Sequence, residues 1–166
     1  MRINVLLLIV VFYTGECRGQ TNALREFRFM FWNVENFFDT KDDSLTADND
    51  FLPGGAMRWS QKRYRKKADD VYKTIIAAGD PPDVVAFCEI ENRGVLEDLI
   101  FNTYLSQYDY GIIHEESPDT RGIDVCLIYR KDKLNITGYR YFMPDGFTRN
   151  NFRSRTVLYA GFDGGG

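Results

Sequence analysis

The sequence predicts a mixed α/β fold, and three observations carry that prediction: an aromatic segment of strand period, a helix-period segment closed by glycine and proline, and an apolar run of strand length. In the first, Phe27, Phe29 and Phe31 alternate with Arg28 and Met30, so Glu26 to Val34 reads as a strand that becomes buried on both faces toward its end. In the second, Tyr64, Ala68, Val71, Tyr72, Ile75 and Ile76 fall at i, i+4, i+7, i+8, i+11 and i+12, one stripe of a helix capped by Ser60. Gly79 accepts the left-handed cap there, and Pro81 and Pro82 cannot continue the turn. In the third, Asp83 to Glu91 contains the unbroken run Val84, Val85, Ala86, Phe87 and Cys88, which suits a strand covered on both faces.

The remaining elements follow in order. Asp39 to Gly55 is acidic and ends in Pro53, Gly54 and Gly55, so it reads as a long surface loop. A second helix is capped by Asn92 and faced by Val95, Leu96, Leu99, Ile100 and Tyr104. Shorter strands are expected near Tyr108 to His114, Gly122 to Arg130, Lys133 to Phe142 and Arg155 to Phe162. There is no internal repeat, low-complexity tract or dividing linker.

A strand, a helix and a second strand predict a parallel pair joined by a right-handed crossover. Parallel strands share a carboxyl edge, which would bring Asn33 and Glu89 together where α/β sheets usually bind ligands. With matched pleats the two side chains would also share a face: Asn33 continues the parity of the phenylalanines, and Glu89 that of Val85 and Phe87.

A chain of 166 residues with 44% hydrophobic content can fill the core of one domain. Its net charge of −3 offers no global field for a polyanion, so a phosphate-bearing substrate would need a local site or a bound cation. Arg2 followed by the apolar run Val5 to Tyr13 has the layout of a secretory signal, and Cys17 and Gly19 are small residues suited to cleavage before Gln20. Residues 1–19 are therefore expected to be a leader and 20–166 the mature domain, exported to a periplasmic or extracellular space, with no transmembrane segment in the mature chain. The alternative is a membrane anchor or a lipidated Cys17, which Glu16 suits poorly. Cys88 and Cys126, both in apolar runs, are expected as buried thiols, with a bridge as the alternative in an exported protein.

A carboxylate and an amide oxygen at the mouth of a sheet are the hard donors that magnesium or calcium prefers, and zinc-type cysteine and histidine spacing is absent. The plainer reading makes Glu89 a solvated strand end and Asn33 a turn former. Three segments add to this. Phe31-Trp32-Asn33-Val34-Glu35-Asn36 resembles the opening motif of the endonuclease/exonuclease/phosphatase family, of which deoxyribonuclease I is typical, and Val84 to Asn92 resembles the second, where a hydrophobic strand ends in a metal-binding glutamate. Ser117 to Val125, leading into the strand Cys126 to Arg130, resembles a third.

The resemblance implies a two-sheet β-sandwich flanked by helices, of which this chain would be the amino-terminal part, incomplete at the C-terminus, and metal-assisted hydrolysis of a phosphoester. It makes Glu89 the principal metal ligand and Asn33 the amide that helps hold metal or phosphate. It makes Arg121 a phosphate contact, against a plainer role in a turn or salt bridge, and Asp124 part of the supporting hydrogen-bond shell. The implied cofactor is Mg2+, with Mn2+ or Ca2+ as alternatives, and the implied partner is a phosphodiester or phosphomonoester substrate, nucleic acid included.

The chain departs from the family pattern in lacking the later Gly-Asp-Phe-Asn and Ser-Asp-His type motifs before Gly166. The sole histidine, His114, matches neither catalytic histidine and reads as a partly exposed strand residue. Without a base, help worth about a hundredfold to ten-thousandfold is lost, so the chain alone is expected to be nearly inactive and prone to aggregate. The cationic cluster Arg58, Lys62, Arg63, Arg65, Lys66 and Lys67 reads as a solvated helix face, or as the neighbour of an anionic partner. Arg149, Arg153 and Arg155 either flank a substrate or edge a strand. The competing functions are an exported nuclease-type phosphodiesterase, a non-catalytic truncated domain, and a secreted binding module.

Overall fold

The computed structural model describes residues 26–77, 79–148 and 151–164. The expected leader, residues 1–19, and Arg149 lie outside them. Strand β1 runs Phe29–Phe37, helix α1 Gln61–Ile76, strand β2 Val84–Ile90 and helix α2 Arg93–Phe101. Strands β3 (Tyr110–Ile113), β4 (Asp124–Arg130), β5 (Leu134–Phe142) and β6 (Val157–Gly164) follow. Every expected helix and strand is present, with β1 shifted three residues toward the C-terminus at its start and its end.

Local chemistry explains the helices. The Ser60 side chain accepts from Arg63 N at 3.4 Å, and Tyr64, Ala68, Val71 and Ile75 bury the predicted stripe of α1. Gly79 sits at φ +102° and returns its N–H to Ile76 O at 3.1 Å, which ends the helix as the glycine requires. The Asn92 side chain accepts from Val95 N at 3.0 Å and starts α2.

Four strands form one sheet in the order β1-β2-β4-β3, and β5 pairs with β6 in a second. The β1 and β2 strands are parallel, as the crossover demands, while β4 is antiparallel to both β2 and β3. Both helices cover one face of the larger sheet. Val85, Phe87, Ile90, Cys126 and Ile128 are fully buried there beneath Val71, Ile75, Val95, Leu96 and Leu99. Against the opposite face the smaller sheet places Leu134, Tyr141, Leu158, Ala160 and Phe162 over Val84, Ile113 and Leu127. The architecture is thus two sheets with flanking helices, as the fold class predicted.

Burial departs from expectation in two places. Phe27, Phe29 and Phe31 are 56%, 59% and 62% exposed, so β1 is not covered on both faces: the two-stranded sheet does not extend over it. The segment 39–55, expected as a surface loop, carries a 3-10 turn (Asn49–Phe51), buries Asp48 and stacks Phe51 on Phe38 with ring centroids 4.2 Å apart. Trp59 Nε1 donates to Phe38 O at 2.8 Å and pins its end. Among the described residues no helix is long and apolar enough to cross a membrane.

Candidate functional site

The carboxyl edge of the parallel pair is irregular on both strands. Register slips between Asn33 and Phe37 on β1 and between Cys88 and Ile90 on β2, and Glu35, Asn36 and Glu89 sit at φ +56°, +59° and +68°. Left-handed backbone is costly for residues with a Cβ, and such outliers gather where a side chain must be re-aimed. Here the consequence is direct. Asn33 pairs with Cys88 across the ladder, so by regular alternation Glu89 would point to the helix side of the sheet, away from Asn33. The matched-pleat route to their convergence is therefore corrected: it is the bulge at Glu89 that turns its carboxylate over.

The re-aimed carboxylate is held from three sides. Asn33 Nδ2 donates to Glu89 Oε1 at 3.2 Å, Asn36 N–H donates to Oε2 at 3.0 Å, and Arg155 lies 3.3 Å from Oε1. Asn33 is itself fixed, since its Oδ1 accepts Glu35 N–H at 2.9 Å. Lys67, from the cationic face of α1, donates to the carbonyls of Glu35 and Asn36 at 2.5 and 3.2 Å and braces the β1 bulge. Burial lowers its pKa, against the charges of Glu35 and Glu89. The cationic cluster is thus partly structural: Arg63 caps the carbonyls of Met57 and Arg58, and Lys66 pairs with Asp70.

These residues suit a divalent cation of the magnesium type. A carboxylate offers about four lone-pair directions, and three are used here, leaving room for one metal bond. An amide oxygen keeps a second lone pair beyond the one given to Glu35. Magnesium keeps most of its waters and asks for only one or two protein carboxylates.

The other expected residues are placed differently. Arg121 lies with Nε 3.3 Å and a terminal nitrogen 3.4 Å from the two oxygens of Asp119, which also accepts the Arg121 N–H at 2.9 Å. Asp124, 1% exposed, faces Ile90 in the β2–β4 ladder. It accepts Ser117 N–H at 2.8 Å and meets His114 Nε2 at 3.1 Å. Its pleat parity is that of Cys126 and Ile128, on the helix side, whereas Asn33 shares the parity of Phe29 and Phe31. His114, expected as a partly exposed strand residue, is intermediate in burial as a residue and lies just past the end of β3, with its side chain only 3% exposed.

Sequence reasoning had no signal for Arg155 as the partner of Glu89: the two are distant in the chain and meet because β6 begins beside the β2 bulge. Nor did it find Glu91, whose carboxyl is buried beside the acidic loop and pushed up to about 8, chiefly by burial, with the charges of Asp39, Asp48 and Asp43 adding. The Asp39 N–H, 2.5 Å from Glu91 Oε2, pulls the other way. Cys88 and Cys126 are both free thiols, as the plainer reading held, but only Cys126 is buried and Cys88 is intermediate.

Comparison with curated proteins returns no match. A model of the Endonuclease/Exonuclease/phosphatase family matches residues 28–163, from the start of the first strand to the end of the last. The matched span carries the parallel pair, the re-aimed glutamate and both sheets, and so this chain belongs to the endonuclease/exonuclease/phosphatase family, whose members are generally phosphoester hydrolases.

Proposed function

We propose that this protein is a divalent-metal-dependent phosphodiesterase of nuclease type, with Glu89 as the principal metal ligand. The observation that carries the reading is the left-handed backbone at Glu89, which returns Ile90 to the helix-side core and at the same time sets one carboxylate against Asn33, Asn36 N–H and Arg155. The bound cation would supply Lewis-acid polarisation of a phosphoryl oxygen. Asn33 holds the Glu89 carboxylate in position, and Asn36 N–H fixes its second oxygen. Arg155, 30% exposed at its side chain, can exchange the Glu89 contact for a phosphate oxygen, a geometry its planar fork favours.

The test is Mg2+-dependent hydrolysis of an activated phosphodiester and of duplex DNA by the purified chain, at the slow rate that Lewis-acid assistance without a general base would give. Glu89→Gln, nearly isosteric, should lower the rate about a hundredfold to a thousandfold, the usual cost of one preorganised electrostatic contact. Turnover that survives that change, or that is indifferent to chelator, would rule the assignment out.

One observation favours a second reading, a non-catalytic binding domain: Arg155 lies 3.3 Å from Glu89 and can itself balance the charge of that carboxylate. In that case neither variant nor metal would alter a background rate. The leader-like residues 1–19 further support an exported enzyme; a secreted product whose amino terminus is not Gln20, or retention in the cytoplasm, would contradict it.

A further inference from the structure

The turn between β3 and β4 carries a second cluster, on the other face of the sheet from Asn33. Ladder pairing ends at Ile113↔Leu127. Continued in the same register, His114 would face Cys126 and Glu116 would face Asp124, which puts His114, Glu116 and Asp124 on one side of the pleat. The structure brings one ligand atom from each within 4.8 Å of the others. His114 Nε2 is 3.1 Å from Asp124 Oδ2 and 4.0 Å from Glu116 Oε1. The His114 and Asp124 side chains are 3% and 1% exposed, and Glu116 is 62% exposed. Two donors are therefore fixed by burial and the third reaches in from solvent.

Three features distinguish this group from an ordinary histidine–aspartate pair. Its carboxylates crowd one imidazole: the Glu116 carboxyl is pushed up to about 6, by burial first and then by the charge of Asp124, with His114 drawing it back and Asp43 adding to the rise. Ser117 N–H holds Asp124 Oδ1 at 2.8 Å and so fixes which oxygen faces His114, the outer anchoring that ligating carboxylates generally receive. The spacing also suits a small cation, since two ligands about 2.0–2.1 Å from a tetrahedral centre lie about 3.3 Å apart. The fixed pair is already within a few tenths of an ångström of that, and the exposed Glu116 would need to close on His114 Nε2 by less than about 1 Å from 4.0 Å.

We propose that His114, Glu116 and Asp124 bind one borderline transition-metal cation of the zinc class, at a site separate from Glu89. One imidazole with two carboxylates suits Zn2+, Co2+ or Mn2+ better than magnesium. Three protein ligands leave a position for water. The cation staples the β3–β4 turn, whose neighbouring Gly122 packs on Thr46 and whose Thr120 carbonyl accepts Ala47 N–H at 2.8 Å, so that it also secures the acidic loop against β4.

The test uses the full chain stripped of metal and titrated with Co2+. The expected result is a visible d–d band that saturates at one Co2+ per chain, without the near-ultraviolet charge-transfer band that binding to cysteine thiolates would give, and with displacement by Zn2+. Glu116→Gln, at an exposed position that should leave folding intact, is expected to weaken binding about tenfold or more, while Glu89→Gln leaves it unchanged. In parallel, Zn2+ should raise the melting temperature of the unaltered chain and not that of Glu116→Gln. No band, a thiolate band, a titration unmoved by Glu116→Gln, or loss of the band with Glu89→Gln would each overturn the proposal. The outcome is independent of the phosphodiesterase reading, which the rate assay decides.

Discussion

The two faces of the four-stranded sheet have opposite fates. On the helix side, Val85, Phe87, Ile90, Cys126 and Ile128 of β2 and β4 are completely buried, whereas on the other side β1 leaves Phe29 and Phe31 59% and 62% exposed. Both faces are apolar, so hydrophobicity alone does not separate them; the difference is what packs on top. Two helices blanket one face, and on the other the β5–β6 ribbon lies over β2 and β4, leaving an open apolar cavity of about 390 Å³ beside Phe27, Phe29 and Phe31. Stability is thus concentrated on the helix side, and on the other the β5–β6 ribbon is held by a smaller apolar cluster together with a few polar ties.

Core truncation gives the largest expected contrast. Phe87→Ala should cost about 3–5 kcal/mol, while Phe31→Ala, already in water, should cost under about 1 kcal/mol and reduce association through the exposed aromatic stripe. Urea denaturation of the two variants checks this, and equal losses would show that the β1 face is covered in solution.

A smaller effect is expected at the joint between the sheets. Asp83, 3% exposed just before β2, accepts Arg28 N–H at 3.0 Å and pairs with Lys133, just before β5, at 2.8 Å. Asp83→Ala leaves the ammonium without its buried partner and should cost about 2–3 kcal/mol, below the full value for a buried pair because Lys133 is partly solvated. Hydrogen exchange should quicken most in β5 and β6; uniform quickening would contradict the idea that this pair ties the two faces together.

The smallest effect separates the two thiols. Cys126 lies on the covered face, and burial, with Asp124 and Cys88 adding, raises its pKa well above 9.0; the Cys88 thiol is raised less deeply, with Arg155 opposing. At pH 8 a thiol reagent should therefore modify Cys88 slowly and Cys126 only on unfolding, as peptide mapping would reveal. Because the folded pKa of Cys126 is raised, its contribution to stability is full below about pH 9, the unfolded value, and declines as pH climbs above it. Cys126→Ala should flatten that alkaline decline, and an unchanged pH profile would contradict it.

What the sequence determined by itself was the set of elements and their order. Ser60, Gly79 and Asn92 fix helix ends through local backbone chemistry, and the apolar periods of 61–76 and 84–90 fix which faces must be buried, so those readings hold. It also placed Asn33 and Glu89 at one edge, because parallel strands leave no other arrangement. The tertiary structure alone decided how they meet. Ladder parity would have sent the Glu89 side chain to the wrong face, and only a left-handed residue opposite a second bulge, braced by Lys67 and met by Arg155, reverses it. The same holds for His114 and for the open side of β1: a residue's burial depends on which distant segment packs over it, and a one-dimensional pattern of hydrophobic residues carries no information about that.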